Sequence, residues 1–549
     1  MYNQESGGKI LDVNLLIKGG YVVNGCGNPF FKADVGISAD KIVGVGKLDG
    51  WKGEVEIDAT GLIVSPGFID IHSHSDLTLL KNPSAENKVR QGVTTDVNGN
   101  CGISATPAVK DKIDLLKELI SEVYGESEYE IRWQSFKDYL DYLETMGTSI
   151  NVATLVGHST IRLGVMGYDA RAGTEEENRS MLKLLIQSLK DGAFGISTGL
   201  VYAPGCNAET EEIITLCSEA AKYSVFYATH VRGLRETFVE AVKEAIEIAE
   251  KARIPLQLSH QSTQYGGWGK CKETIVLSES AIKKGLEVTC DVHLDQFGGT
   301  PMIATIPPWA KEGGNPKLIE RLKDGRIREK IKNDMMEFVG PGTQGFIKHG
   351  RYDLLYVVRS SAHSDLEGKS LAEIARIRGD KHPLDAVFDM IIESKGEGIF
   401  LGARYTPEED ILTVLRQPIC MIASDSWTFS SDDEPLYPSR FYGTFPKVIE
   451  RYVRKGGILT LEDAIRKMTS LPASKLGLRD RGIIVEGAKA DVVIFDFKKI
   501  RDTAEEVPRS RLKHDWPEGI EYVIVNGQVT LERGELTGIL AGQVLRHRC

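Results

Sequence analysis

The chain has 549 residues, too many for one ordinary core, so a barrel-sized domain and a second body are expected. It is 41% hydrophobic and 26% charged, with a net charge of -11 and no run rich in Lys or Arg, which excludes nucleic acid as a main partner. No apolar run approaches the ~20 residues of a membrane span. The opening MYNQESGGKILDVNLL lacks a basic segment followed by an apolar one, so secretion is not expected. Eight cysteines are scattered without CxxC pairs, which fits reduced thiols and a cytoplasmic protein.

Residues 1–65 read as short strands broken by turns: LLIKGGYVVNG, ADVGISADKIVGVG and EVEIDATGLIVSPG alternate apolar and polar positions. Residues 479–549 have the same character in GIIVEGAKADVVIFDF and EYVIVNGQVTLERG. Each end alone has too few strands to be stable, so one small β-sandwich built from both termini is expected. Residues 66–478 alternate apolar strands with amphipathic helices. The strands are GFIDIHS, VTTDVNG, INVATLVG, AFGISTG, VFYATHV, IPLQLSH, LEVTCDV and ICMIASD. A helix such as ETFVEAVKEAIEIAEKA repeats its apolar positions at helical spacing. This is the pattern of an α/β protein with a (β/α)8 barrel of the TIM type. The alternation lapses over about 297–352, which is read as an inserted subdomain over the barrel mouth.

The polar residues cluster at the carboxyl ends of these strands, where such barrels carry their active sites. In GFIDIHSHSDL, His72 and His74 lie two apart, and i and i+2 of an extended chain face the same side. Cys101 ends the second strand, His230 the fifth and His260 the sixth. Imidazole and thiolate suit a borderline-soft divalent ion such as zinc. Read alone, Cys101 is a small buried hydrophobe; facing four strand-end histidines it becomes a ligand candidate. Asp425, in CMIASDS, can take a proton from water and pass it to a leaving nitrogen, or cap the next helix. His158, in LVGHSTIR, is either an oxyanion donor or a histidine satisfied behind the site. Ser197, Arg232 and Asp291 either contact substrate or orient the ligands.

These residues resemble a known family. PGFIDIHSHSD is similar to the first-strand metal motif of the amidohydrolase superfamily. VTTDVNGNCGIS, GAFGISTGLVYAPG, YATHVR, IASDS, YGTFPKVIERYV and KMTSLPASKLGL together resemble the D-aminoacylases, or N-acyl-D-amino-acid deacylases. The resemblance implies a distorted barrel, a sandwich from both termini, a small inserted domain, one or two zinc ions, and hydrolysis of an N-acyl amide. By position it implies that Cys101, His230 and His260 hold the tighter ion, that His72 and His74 share Cys101 at a weaker one, and that Asp425 is the general acid/base.

The chain departs from the family where substrate is gripped. The usual SHHK is SHQS, with Gln261 and Ser262 replacing histidine and lysine. DVHLDQFGGT places His293 and Asp295 where tyrosines are common, and Gly299 at a usual serine. Ser262, His293 and Asp295 are therefore expected at the substrate, with Asp295 repelling a carboxylate. Arg232 or Arg359 offers an anion site from elsewhere. The expected activity is amide hydrolysis of a small molecule on a changed substrate. The alternatives are a cyclic amide or imide, a D-configured or modified dipeptide, and a non-catalytic scaffold. Expected partners are that amide and, at most, further copies of the chain; nucleic acid and membrane are not expected.

Overall fold

The computed structural model describes residues 12–124, 130–311, 314–337, 343–360, 362–396, 398–433, 438–504 and 515–548. In chain order the strands are β1 (Asp12–Val22), β2 (Phe31–Ser38), β3 (Lys41–Gly46), β4 (Lys52–Asp58), β5 (Ile63–Pro66), β6 (Phe68–Asp70) and β7 (Val93–Asn98). Next come β8 (Asn151–Thr154), β9 (Val156–Gly157), β10 (Gly195–Gly199), β11 (Phe226–His230), β12 (Leu256–Leu258) and β13 (Val288–Val292). The chain continues with β14 (Phe297–Pro301), β15 (Tyr356–Ser360), β16 (Ile399–Arg404), β17 (Cys420–Ile422), β18 (Val492–Phe495), β19 (Ile520–Val525), β20 (Gln528–Glu532) and β21 (Glu535–Leu536).

Both ends of the chain share one nine-stranded sheet, ordered β21-β20-β19-β18-β5-β1-β2-β3 with β4 on β1. The ends meet where β5 pairs antiparallel with β18, Ile63 opposite Phe495 and Val64 opposite Ile494. In β1 Val13, Leu15 and Ile17 are buried at a two-residue period on one face, and Leu16 is buried on the other. Leu15 and Ile17 join Val35, Ile37, Val64, Val492 and Ile494 in a core of their own.

The middle of the chain forms two parallel sheets, β6-β7-β8 and β9-β10-β11-β12-β13-β17. Only Leu155 separates β8 from β9, so the two sheets run on as one. A parallel bridge between Ser73 and Ser426 brings the last strand back to the first and closes the barrel. Asp425 N–H donates to His72 O (3.0 Å) and His74 N–H to Ser426 O (3.0 Å) across this seam. Every residue of β7, β10 and β11 is buried, as parallel strands covered by helices require. The helix Phe238–Ala252 shows how the cover works: Phe238, Val242, Ala245, Ala249 and Ala252 recur every three or four residues and are all buried.

Between β13 and β17 lies the inserted body, an antiparallel sheet β14-β16-β15 with helices around it. Its core, which includes Met302, Leu322, Phe346, Leu371, Phe388 and Leu401, is separate from that of the barrel. It extends to Arg404, well past the 352 expected from sequence, because the helices Leu371–Arg378 and Pro383–Glu393 and the strand β16 imitate barrel units. It is tied down just beyond β13, where Tyr405 N–H donates to Gln296 O (2.8 Å) and Trp268 Nε1 to Tyr405 O (2.7 Å). Among the described residues no helix is long and apolar enough to cross a membrane.

Candidate metal centre and active site

Five donors converge at the carboxyl ends of the barrel strands. His72 and His74 follow β6, Cys101 follows β7, His230 ends β11 and His260 follows β12. They form two overlapping triads, His72–His74–Cys101 and Cys101–His230–His260, each with its donor atoms within 4.8 Å of one another. All five side chains are buried. Cys101 Sγ stands 3.3 Å from His72 Nε2, 3.4 Å from His260 Nε2 and 3.7 Å from His230 Nδ1. A tetrahedral ion with metal–sulfur bonds of about 2.3 Å and metal–nitrogen bonds of about 2.05 Å holds S and N roughly 3.6 Å apart. The donor spacing therefore fits a zinc-like ion, and Cys101 is the atom both triads share.

The local backbone is forced into this arrangement. Cys101 (φ 52°), His260 (φ 30°) and Asp425 (φ 49°) all lie in the left-handed region that side chains rarely adopt. The Cys101 loop lies flush on β10 because Gly199 has no side chain: a Cβ there would come 2.0 Å from Cys101 O. Ser197 straps the same loop, donating to Gly99 O (2.5 Å) and accepting from Gly102 N–H (3.0 Å). Ser197 thus holds the cysteine loop, in keeping with the ligand-orienting one of its two expected roles. Asp291 accepts the backbone N–H of His260 (2.7 Å) and stands 3.4 Å from His72 Nδ1, while Gln257 Nε2 holds its other oxygen (2.6 Å). A carboxylate beside Nδ1 aims the His72 imidazole, and the backbone bond holds the turn that carries His260.

Asp425 closes the site from the last strand. Its Oδ1 is 3.2 Å from His74 Nε2 and 3.6 Å from His72 Nε2. Burial pushes its carboxyl up, but His74 and the Arg440 guanidinium outweigh this and hold it well below the usual range. No helix begins at Asp425, so it is not the N-cap that its sequence also allowed. Burial likewise opposes the Cys101 thiolate, and His72 and His260 overcome it, holding the thiol far below its ordinary value. His74 is driven to about 9: burial lowers it, but Asp425 and Cys101 prevail. A thiolate and a carboxylate that gather positive charge around them make a pocket for a divalent cation, which takes neutral imidazoles as ligands.

Several expected substrate contacts are spoken for elsewhere. Arg232 is clamped by Glu244 (2.9–3.1 Å) and by the carbonyls of Cys206 (3.1 Å) and Ala208 (3.0 Å). It therefore braces the loop that carries Tyr202, whose ring packs on His230 (5.0 Å), and its charge is engaged by Glu244. Asp295 is almost fully buried; it accepts from Ser439 Oγ (2.6 Å) and Arg440 N–H (2.8 Å) and pairs with Lys447 Nζ (2.9 Å). Although burial opposes it, Lys447 and Arg440 hold this carboxyl at about 2. Its charge is spent on anchoring the helix Arg440–Lys447, so the expected repulsion of a substrate carboxylate does not arise.

His158 hydrogen-bonds through Nε2 to Glu212 (2.8 Å), which also pairs with Arg162. Ser262 is buried two positions after His260. His293 follows β13; burial and the Arg440 charge push its imidazole down to about 4, and among the described residues its buried Nδ1 has no partner. The side chain of Arg359 lies outside the described residues. Sequence reading missed Arg440, whose Nε donates to Asp425 O (3.0 Å) and whose guanidinium stands 3.9 Å from the Asp425 carboxylate. Its only signal was its place just ahead of the GTFP segment.

A parallel barrel with His and Cys side chains and the Asp425 carboxylate gathered at its strand ends has the setting of a metal-dependent enzyme. Residues 55–286 and 371–531 match the amidohydrolase family, and the chain belongs to it: it is a metal-dependent hydrolase of C–N amide bonds. It is 34% identical to the D-aminoacylase of Alcaligenes xylosoxydans xylosoxydans, with 97% of each chain covered. It is 32% identical to that organism's N-acyl-D-glutamate deacylase, covering 94% of this chain and 93% of that one. The N-acyl-D-glutamate deacylase of Bordetella bronchiseptica, solved with zinc and a phosphonate mimic of the tetrahedral intermediate, superposes at a TM-score of 0.76. That pair is 29% identical, with 98% of this chain and 100% of the other covered.

Proposed function

We propose that this chain deacylates N-acyl-D-amino acids at a zinc site held by His72, His74, Cys101, His230 and His260. The single observation that carries this reading is the Asp425 carboxylate, set 3.2 Å from His74 Nε2 with the Arg440 guanidinium on its other side. When bound, the ion supplies Lewis acidity to the scissile carbonyl and to the attacking water. Asp425, ionised at neutral pH, takes the proton of that water at Oδ1 and hands it to the leaving nitrogen. Arg440 offers a fixed positive charge beside the reacting atoms, where a substrate carboxylate can form a charge-assisted pair. His293 is neutral at pH 7 and adds a hydrogen-bonding nitrogen near Arg440 and Asp425.

This arrangement supports an acidic substrate in spite of the missing family lysine, because Lys447 neutralises Asp295. The D configuration is carried by the relatives, which act on D-configured acyl amino acids by name. Zinc is supported by the Cys/His donor set and by the zinc in the Bordetella enzyme. The test is a release assay on purified, metal-analysed protein with matched N-acetyl-D- and N-acetyl-L-amino acids. Free amino acid released from the D series alone is expected. Hydrolysis of the L series alone, or of neither series by zinc-loaded protein, would overturn the substrate assignment.

A further inference from the structure

Directly behind the donors lies a second cluster of charges that hydrolysis itself does not use. Lys88, Asp70, Asp96, Ser73, Ser424 and Ser426 are all completely buried. Lys88 comes from the short helix Glu86–Val89 in the β6–β7 connection and reaches into the seam between the first and last barrel strands. Its Nζ contacts Asp70 Oδ2 (2.7 Å), Asp96 Oδ1 (3.2 Å), Ser73 Oγ (3.2 Å), Ser424 Oγ (3.0 Å) and Ser426 O (3.5 Å). Asp70 Oδ1 accepts Ser424 N–H (3.0 Å), and Ser73 Oγ donates to Asp96 Oδ2 (2.8 Å).

The contacts show how these residues meet. Ser73 lies between His72 and His74, and Ser424 and Ser426 flank Asp425, whose left-handed backbone (φ 49°) turns the chain there. These three serines converge with Asp70 and Asp96 on Lys88. Beyond the ends of β6 and β17 the seam is a short one, a single Ser73–Ser426 bridge with the bonds Asp425 N–H to His72 O and His74 N–H to Ser426 O, whereas β10 and β11 pair over five residues.

We propose that Lys88 is a positioning residue for the reaction, fixing the distance between His74 and Asp425 by tying both strand ends through Asp70, Ser73, Ser424 and Ser426. The proposal rests on the reading of Asp425 as the proton carrier. Removing the ammonium alone strands two buried carboxylates and threatens folding. The variant of choice is therefore Lys88→Gln with Asp96→Asn, which keeps the net charge of the cluster. Metal content, kcat and KM are read on the zinc-loaded protein, and the ligand-field spectrum on the cobalt-substituted protein.

The account expects full metal content, KM within about twofold of the parent, kcat lower by about 10–100-fold and an altered cobalt spectrum, because small displacements of positioned groups cost that much. Unchanged kcat with an unchanged spectrum, or a simple loss of metal, overturns it. If the double variant does not fold, Ser424→Ala removes one Lys88 contact and no charge, and a fall in kcat of about tenfold is expected from it; parent-like kcat and spectrum in that variant overturn the proposal. The cobalt spectrum needs no substrate, so it still decides on Lys88 if the parent enzyme fails to hydrolyse N-acyl-D-amino acids.

Discussion

His74 and Asp425 face each other at 3.2 Å from the first and last barrel strands, and the backbones that carry them are cross-laced: His74 N–H donates to Ser426 O and Asp425 N–H to His72 O. The carboxylate thus cannot drift from the donor cluster without opening the barrel seam. A general base is effective only within hydrogen-bond reach of the proton it takes, and this lacing supplies that reach.

Asp425→Asn keeps the shape and removes the basicity. Turnover is expected to fall by about 10²–10⁴-fold while elemental analysis finds the parent metal content. Substantial residual turnover in this variant would remove Asp425 from the mechanism.

Cys101 belongs to both triads, so Cys101→Ala disturbs every ion the site can hold. Elemental analysis of the dialysed variant is expected to find far less than the parent's metal. Stoichiometric metal in that variant would make Cys101 a core residue and not a ligand.

Arg440 stands 3.9 Å from the Asp425 carboxylate and is the cation proposed to meet the substrate carboxylate. Losing a charge-assisted hydrogen bond costs about 1.5–3 kcal/mol, so Arg440→Met is expected to raise KM for an N-acyl amino acid by roughly 10–100-fold. The acid limb of kcat/KM should also move to higher pH, because the guanidinium is one of the charges holding the Asp425 carboxyl low. An unchanged KM would place the substrate carboxylate elsewhere.

Lys475 provides a pH test of the scaffold, away from the chemistry. It is buried, donates to Leu256 O (3.2 Å) and pairs with Glu287 (3.1 Å), and burial pushes its amine down to about 8. A free lysine titrates near about 10.4, so between the two values the unfolded chain holds a proton that the native one has lost. Stability from this group therefore rises with pH across that window, by up to about 3 kcal/mol. Urea unfolding of Lys475→Met against the parent, at pH values spanning the window, should show a flatter rise; parallel curves would contradict the assignment.

The barrel, the paired ends and the meeting of His72, His74, Cys101, His230 and His260 could be read in the sequence because each rests on local pattern. Apolar runs mark the strands, and polar residues at their ends mark the mouth. What escaped is what long-range pairing decides. Asp295 reads as an acid facing substrate until Lys447, far along the chain, is placed against it. Arg232 reads as an anion site until Glu244 and two carbonyls occupy it. Arg440 and Lys88 carry no periodic signal, and only the closed seam brings them to Asp425 and to the strand ends. The insertion reads shorter in sequence than it is because its later helices are as amphipathic as those of the barrel.

The most direct test of the central claim is a metal titration. Protein stripped by a chelator is titrated with zinc, beside Cys101→Ala treated in the same way, while initial rates of N-acyl-D-amino-acid hydrolysis are followed. The account predicts a silent stripped enzyme, activity that returns as zinc is added, and no recovery in Cys101→Ala. Full activity in the stripped protein, or equal recovery in the Cys101→Ala variant, would contradict a reaction run at this five-donor site.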